Sequence, residues 1–235
     1  MKVEAYLSSH STCEESCHTT ICFIAGVVTY RNNFEAAARE MSKQFPKVKI
    51  LTIFPYGTAN GTNRSSFLRL LGSQLTQAGY DINLSQSKRV RVVSELIRKH
   101  SPTGNRLILI GHSAGGVIAY RSGLLLEEKY KLSPAQIFAV GSPKFPLKDI
   151  PFNQRFTYIT GQSLDRITRI GRWGIPGSRV YRGKPGREIQ MNFNPANQGW
   201  RFHASYFLDS GWQDADQDFH ANARDLVSKI AEICR

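Results

Sequence analysis

Along the chain, short continuous apolar runs alternate with amphipathic segments. Ile21-Cys22-Phe23-Ile24-Ala25 is apolar without interruption and ends at Gly26, the pattern of a strand buried on both faces. Residues 34–41, following Asn33, have helical spacing, and residues 48–54 form the next strand, stopped by Pro55 and Gly57. A polar stretch over 58–66 precedes an amphipathic piece at 67–71 and a break near Gly79. Val90, Val93, Leu96 and Ile97 then recur at helical spacing, in a helix that ends before Ser101-Pro102. Leu107-Ile108-Leu109-Ile110 is the most strand-like run and leads directly into a glycine-rich turn, after which residues 117–130 read as a long helix. Further strands are predicted at 137–140, 156–160 and 188–193, and a closing helix at about 219–233. This alternation predicts an α/β fold: one domain over residues 1–235, with a mostly parallel sheet of about six strands covered by helices on both faces. No internal repeat or low-complexity tract divides it.

The turn after the 107–110 run is Gly111-His112-Ser113-Ala114-Gly115. Gly-x-Ser-x-Gly between a strand and a helix makes a nucleophile elbow, a strained turn that lifts the serine hydroxyl clear of the sheet edge. Gly111 and Gly115 lack a Cβ, so the helix can pass close to the strand. A phosphate-binding loop is the competing reading, but no Gly-Lys-Ser/Thr follows, and the first strand lacks a dinucleotide fingerprint.

A serine hydroxyl needs a base to take its proton and a carboxylate to orient that base. Downstream of Ser113 stand two histidines. His203 falls in a predicted loop between the last strand and last helix, whereas His220 falls at the polar start of that helix, so His203 is the expected base. The acid is expected after the strand at 156–160, which selects Asp165 over Asp149; the competing role for Asp165 is a surface pair with Arg166 or Arg169. Oxyanion donors are expected from the backbone amides of Ala114 and of Val27, in the loop after the first strand.

Composition changes this picture in three places. The formal charge of +13 implies an anionic partner or serves solubility alone. Cys13, Cys17, Cys22 and Cys234 are expected to be reduced; Cys13 and Cys17 beside His10 and His18 lack the second pair that a zinc site needs. With no apolar run of membrane-spanning length and no signal segment, a cytoplasmic location is expected.

Gly-His-Ser-Ala-Gly-Gly, the Gly141-Ser142-Pro143-Lys144 turn, the late Asp165 and His203-Ala204-Ser205-Tyr206 together resemble the class 3 lipase branch of the α/β-hydrolases, over residues 21–206. The resemblance implies carboxylic-ester hydrolysis through an acyl-enzyme on Ser113, with neither cofactor nor metal. Ala25 departs from it, because the family often carries histidine there. The 142–155 segment is too short for a cap domain, leaving 58–87 as the only stretch long enough to cover the site, so water-soluble esters and thioesters remain substrates alongside lipids. Arg166, Arg169, Arg172, Arg179, Arg182, Lys184 and Arg187, interleaved with Trp173 and Tyr181, form a basic stretch after Asp165. It is either a solvated loop or a site for a phosphate group or anionic membrane surface, with Arg166, Arg169 and Arg172 the candidate anion-binding residues. Nucleic acid is the least expected partner, since no binding motif accompanies the stretch. A catalytically weak hydrolase-fold protein that binds anionic lipid or polymer is the alternative function. Asp214 to Asp218 open like a calcium loop, but Phe219 stands where glycine is required, and helix-start acids are the simpler account.

Overall fold

A computed structural model describes residues 3–13, 17–59, 72–79, 87–148, 151–161, 165–173, 183–192, 203, 205–207 and 222–235. Its strands are β1 (Glu4–Leu7), β2 (Thr19–Ile24), β3 (Val48–Phe54), β4 (Arg106–His112), β5 (Gln136–Val140), β6 (Phe156–Gly161) and β7 (Arg187–Met191). They form one sheet in the order β1-β3-β2-β4-β5-β6-β7. Every neighbouring pair is parallel except β1 and β3, which run antiparallel. The helices are α1 (Glu35–Gln44), α2 (72–79), α3 (Lys88–His100), α4 (Ala114–Tyr130) and α5 (Asn222–Cys234).

The central strands are apolar on successive residues because each side of the sheet is covered. Cys22, Ile24, Leu107 and Leu109 share one cluster with Val90, Val93 and Ile97 of α3 and Val117 and Ile118 of α4. The intervening residues Ile21, Phe23, Ile108 and Ile110 face the opposite way, against Ala37 and Met41 of α1 and Leu226 and Ile230 of α5. Both layers depend on the strict alternation of side chains along a strand. The first thirteen residues of α4 are all buried, so this helix fills the centre of its layer.

Among the described residues the sheet has seven strands where the sequence pattern predicts about six. The additional strand, β1, is an edge strand of four residues, half-buried and with no continuous apolar run, so neither periodicity nor composition marks it. The expectation of four reduced cysteines is also corrected, because Cys13 and Cys17 form a disulfide with a Cα–Cα distance of 5.7 Å. Both ends of their loop are tied to the chain entering β3: the Thr12 N–H donates to the Val48 carbonyl and the His18 N–H to the carbonyl of Lys47, just before the strand. This brings the two cysteines within bridging reach. Cys22 and Cys234 are free and buried, and burial pushes their thiols up to about 12 and about 11. Among the described residues no helix is long and apolar enough to cross a membrane. The amphipathic piece at 67–71, Asp149, the 214–218 acids and His220 lie outside the described residues.

Candidate active site

Ser113 stands between the end of β4 and the first residue of α4, at φ 55° and ψ −129°. A non-glycine residue held there costs on the order of 1–3 kcal/mol and persists only where its surroundings enforce it. Close packing supplies the enforcement. A Cβ on Gly111 would overlap the Gly115 carbonyl, and one on Gly115 would overlap the Ile24 carbonyl of β2. The Ser113 N–H also donates to the Val140 carbonyl at the end of β5 at 3.0 Å.

The loop leaving β2 lies directly against the serine. A Cβ on Gly26 would stand 2.7 Å from the Ser113 Cβ and 2.9 Å from the His112 carbonyl oxygen, so only glycine fits. Val27 comes next, followed by Val28 in the left-handed region at φ 51°. The Val28 N–H donates to the Gln74 Oε1 at 2.6 Å, and the Thr29 hydroxyl donates to the Gly26 carbonyl at 3.1 Å. Among the described residues no hydrogen bond takes up the Val27 or the Ala114 N–H.

Asp165 follows β6 and caps the 3-10 turn Arg166–Arg169, its Oδ1 accepting from the Ile167 N–H at 3.0 Å. Its Oδ2 accepts from His203 Nδ1 and from the Tyr206 hydroxyl, each at 2.9 Å. The carboxyl is 1% exposed, which excludes the surface ion pair considered from sequence. Burial pushes its pKa up, but the bonds from His203, Tyr206 and the Ile167 N–H outweigh burial and hold it below the ordinary carboxylate value. Tyr206 in turn accepts from the Gly161 N–H at 2.7 Å, and burial against the Asp165 charge raises its own pKa.

His203 is buried. His112 links it to the elbow. The two imidazoles stack with centroids 4.9 Å apart, and His112 Nε2 donates to the His203 carbonyl at 2.9 Å. Burial first, and then the neighbouring His203, lower the His112 pKa to about 3, so its ring is neutral at ordinary pH. His112, Tyr206 and Gln74 are the residues that sequence reasoning did not single out.

Arg166, Arg169 and Arg172 are exposed on the segment that follows Asp165. The segment is fixed at its far end. The Lys144 N–H donates to the Ile170 carbonyl at 2.7 Å, and Trp173 packs edge-on to Tyr158 at 4.7 Å while its Nε1 donates to Glu188. Arg179, Tyr181 and Arg182 lie outside the described residues. Among the described residues no group of three or more His, Cys, Asp or Glu side chains is placed to hold a metal ion.

No protein-family model and no curated protein matches the chain. Solved structures do. The chain is similar to a lipase-esterase related protein from Clostridium acetobutylicum, with a TM-score of 0.54 and 10% identity, covering 98% of each chain. It is also similar to a soluble variant of monoglyceride lipase from Saccharomyces cerevisiae, with a TM-score of 0.53 and 8% identity, covering 99% of this chain and 91% of that one. A type II thioesterase from the yersiniabactin biosynthetic pathway matches with a TM-score of 0.51 and 11% identity, covering 97% and 96%. At these identities the likeness concerns architecture, and together with the sheet order and the strand-to-helix turn at Ser113 it identifies the α/β-hydrolase fold.

Proposed function

We propose that the protein is a serine hydrolase that cleaves carboxylic esters through an acyl-enzyme on Ser113. The observation that carries this reading is the convergence of Asp165, His203 and the Ser113 elbow, joined through the 2.9 Å Asp165–His203 bond and the His112 contacts. His203 presents Nδ1 to the carboxylate, leaving Nε2 to take the Ser113 proton as Oγ attacks the ester carbonyl. Asp165 fixes the ring and stabilises the imidazolium that forms. The carbonyl oxygen, now negative, is held by the amides of Val27 and Ala114. His203 returns its proton to the leaving alcohol, and water admitted to the same base hydrolyses the acyl-serine.

The class 3 lipase branch is the reading that the motif order favours, and the thioesterase among the structural neighbours favours thioesters as a second substrate class. Arg166, Arg169 and Arg172, exposed beside Asp165, suit a substrate or surface that carries negative charge.

The test is active-site labelling with a fluorophosphonate, combined with turnover of nitrophenyl esters and matched thioesters of rising chain length. Wild-type protein is expected to label and turn over, whereas Ser113→Ala is expected to do neither, with turnover lower by about 10⁴-fold or more. A folded wild type that stays unlabelled, or a Ser113→Ala variant labelled as strongly as its parent, rejects the reading.

A further inference from the structure

The donor at Val27 belongs to a loop whose conformation is not self-sustaining. Val28 is β-branched, yet it sits at φ 51°, where such residues are outliers, so neighbouring groups must hold it. Two side chains grip the Val27–Val28 peptide unit. The Thr29 hydroxyl reaches the Val27 carbonyl at 3.4 Å, a weak second contact beside its bond to Gly26, while Gln74 takes the Val28 N–H at 2.6 Å. The stronger grip therefore comes from α2, across 46 residues of sequence.

Gln74 is 2% exposed and uses both ends of its amide. Its Nε2 donates to the Tyr56 carbonyl at 2.9 Å, so one side chain spans the loops that leave β2 and β3. This pairing requires an acceptor at one end and a donor at the other, which only a primary amide of this length provides. The same helix is anchored a second time without involving the loop: Arg89 donates to Gln77 Oε1 and, through Nε, to the Pro55 carbonyl at 2.8 Å, with its guanidinium over the Tyr56 ring.

We propose that Gln74 is a positioning residue for the oxyanion donor: by holding the Val28 N–H it keeps the Val27 N–H aimed at the space beside Ser113. The proposal rests on the hydrolase reading above. Gln74 touches no reacting atom, and its effect falls on the tetrahedral state more than on substrate binding, because the donor it aims is used where negative charge develops.

Steady-state turnover of a nitrophenyl ester by wild type, Gln74→Met, Gln74→Glu and Gln77→Ala tests this, together with affinity for an alkylboronic acid that forms a tetrahedral adduct on the serine. Gln74→Met conserves volume and removes both hydrogen bonds. It is expected to lower kcat by about 10²-fold, as a donor displaced by roughly 1 Å does, with KM unchanged and boronate affinity reduced in step with kcat. Gln74→Glu keeps an acceptor for the Val28 N–H and is expected to fall between Met and wild type, providing a second reading if the Met variant does not fold. Gln77→Ala loosens the same helix without touching the loop and is expected to keep wild-type kcat. Equal losses in the Gln74 and Gln77 variants, or a raised KM at unchanged kcat, overturn the proposal and leave the hydrolase reading intact. A folded wild type that neither labels nor turns over rejects both.

Discussion

The two halves of the candidate site are built from different materials. Around Ser113 itself the geometry is made by backbone: Gly111, Gly115 and Gly26 pack where no Cβ fits, and the serine is held by its own N–H. On the acid–base side it is made by side chains, with Asp165 accepting from His203 and Tyr206, and His112 bracing the His203 carbonyl. Close backbone packing admits almost no substitution, because there is no side chain to rearrange. A hydrogen-bond network shares its task among several partners, so the loss of one is expected to weaken rather than abolish it.

Gly26→Ala probes the first half most severely. The added methyl would stand 2.7 Å from the Ser113 Cβ, so either the loop or the elbow must move. Displacing the proposed Val27 donor is expected to lower kcat by about 10²–10³-fold, and the overpacking to lower unfolding free energy by about 1–3 kcal/mol. Ester turnover and chemical denaturation measure the two effects. Wild-type kcat in Gly26→Ala would mean that this loop takes no part in the reaction.

Tyr206→Phe makes the corresponding cut on the network side. Asp165 loses one of its bonds but keeps His203 and the Ile167 N–H, while the Gly161 N–H loses its acceptor. A hydrogen bond to a charged group contributes about 1.5–3 kcal/mol, and only the part felt by His203 enters the rate. The expected loss in kcat is about tenfold, corresponding to about 1.4 kcal/mol. If Tyr206→Phe costs as much as Gly26→Ala, the side-chain half is no more tolerant than the backbone half, and the contrast between them fails.

The same contrast explains what the sequence discloses. The elbow is legible because its demands are local: a strand, two glycines around a serine, and a helix, all within one short stretch. Asp165 and His203 are marked as candidates by chain order together with their places after the predicted strands and before the closing helix. Tyr206, His112 and Gln74 are not, because each acts on a partner distant in sequence, at separations of 41, 91 and 46 residues, and carries no local pattern. His112 stands inside the elbow motif, where the arbitrary position next to the serine conceals it. β1 and the Cys13–Cys17 bridge escaped for a related reason: both depend on β3, which reaches back to pair with the start of the chain.

His112 gives the smallest and most specific test, through the pH dependence of stability. A carbonyl only accepts, so the bond to His203 places the proton on Nε2 of a neutral ring. Burial and the neighbouring His203 lower the His112 pKa from 6.5 to about 3. Between these two values the unfolded chain binds a proton that the folded chain does not, so stability rises with pH across the window and is lost on acidification. At pH 5 this one group is expected to remove about 2 kcal/mol of stability relative to neutral pH. Asp165 does not obscure the effect, because its lowered pKa places its own loss below 3.8. His112→Gln offers a non-titrating donor at the place of Nε2. Its unfolding free energy is expected to lose this component of the slope from pH 6.5 downward, while kcat at neutral pH changes little because the brace on His203 is kept. Denaturation curves for the two proteins that stay parallel over the window would show that the ring is free to protonate. The network half of the site would then be held less rigidly than its hydrogen bonds imply.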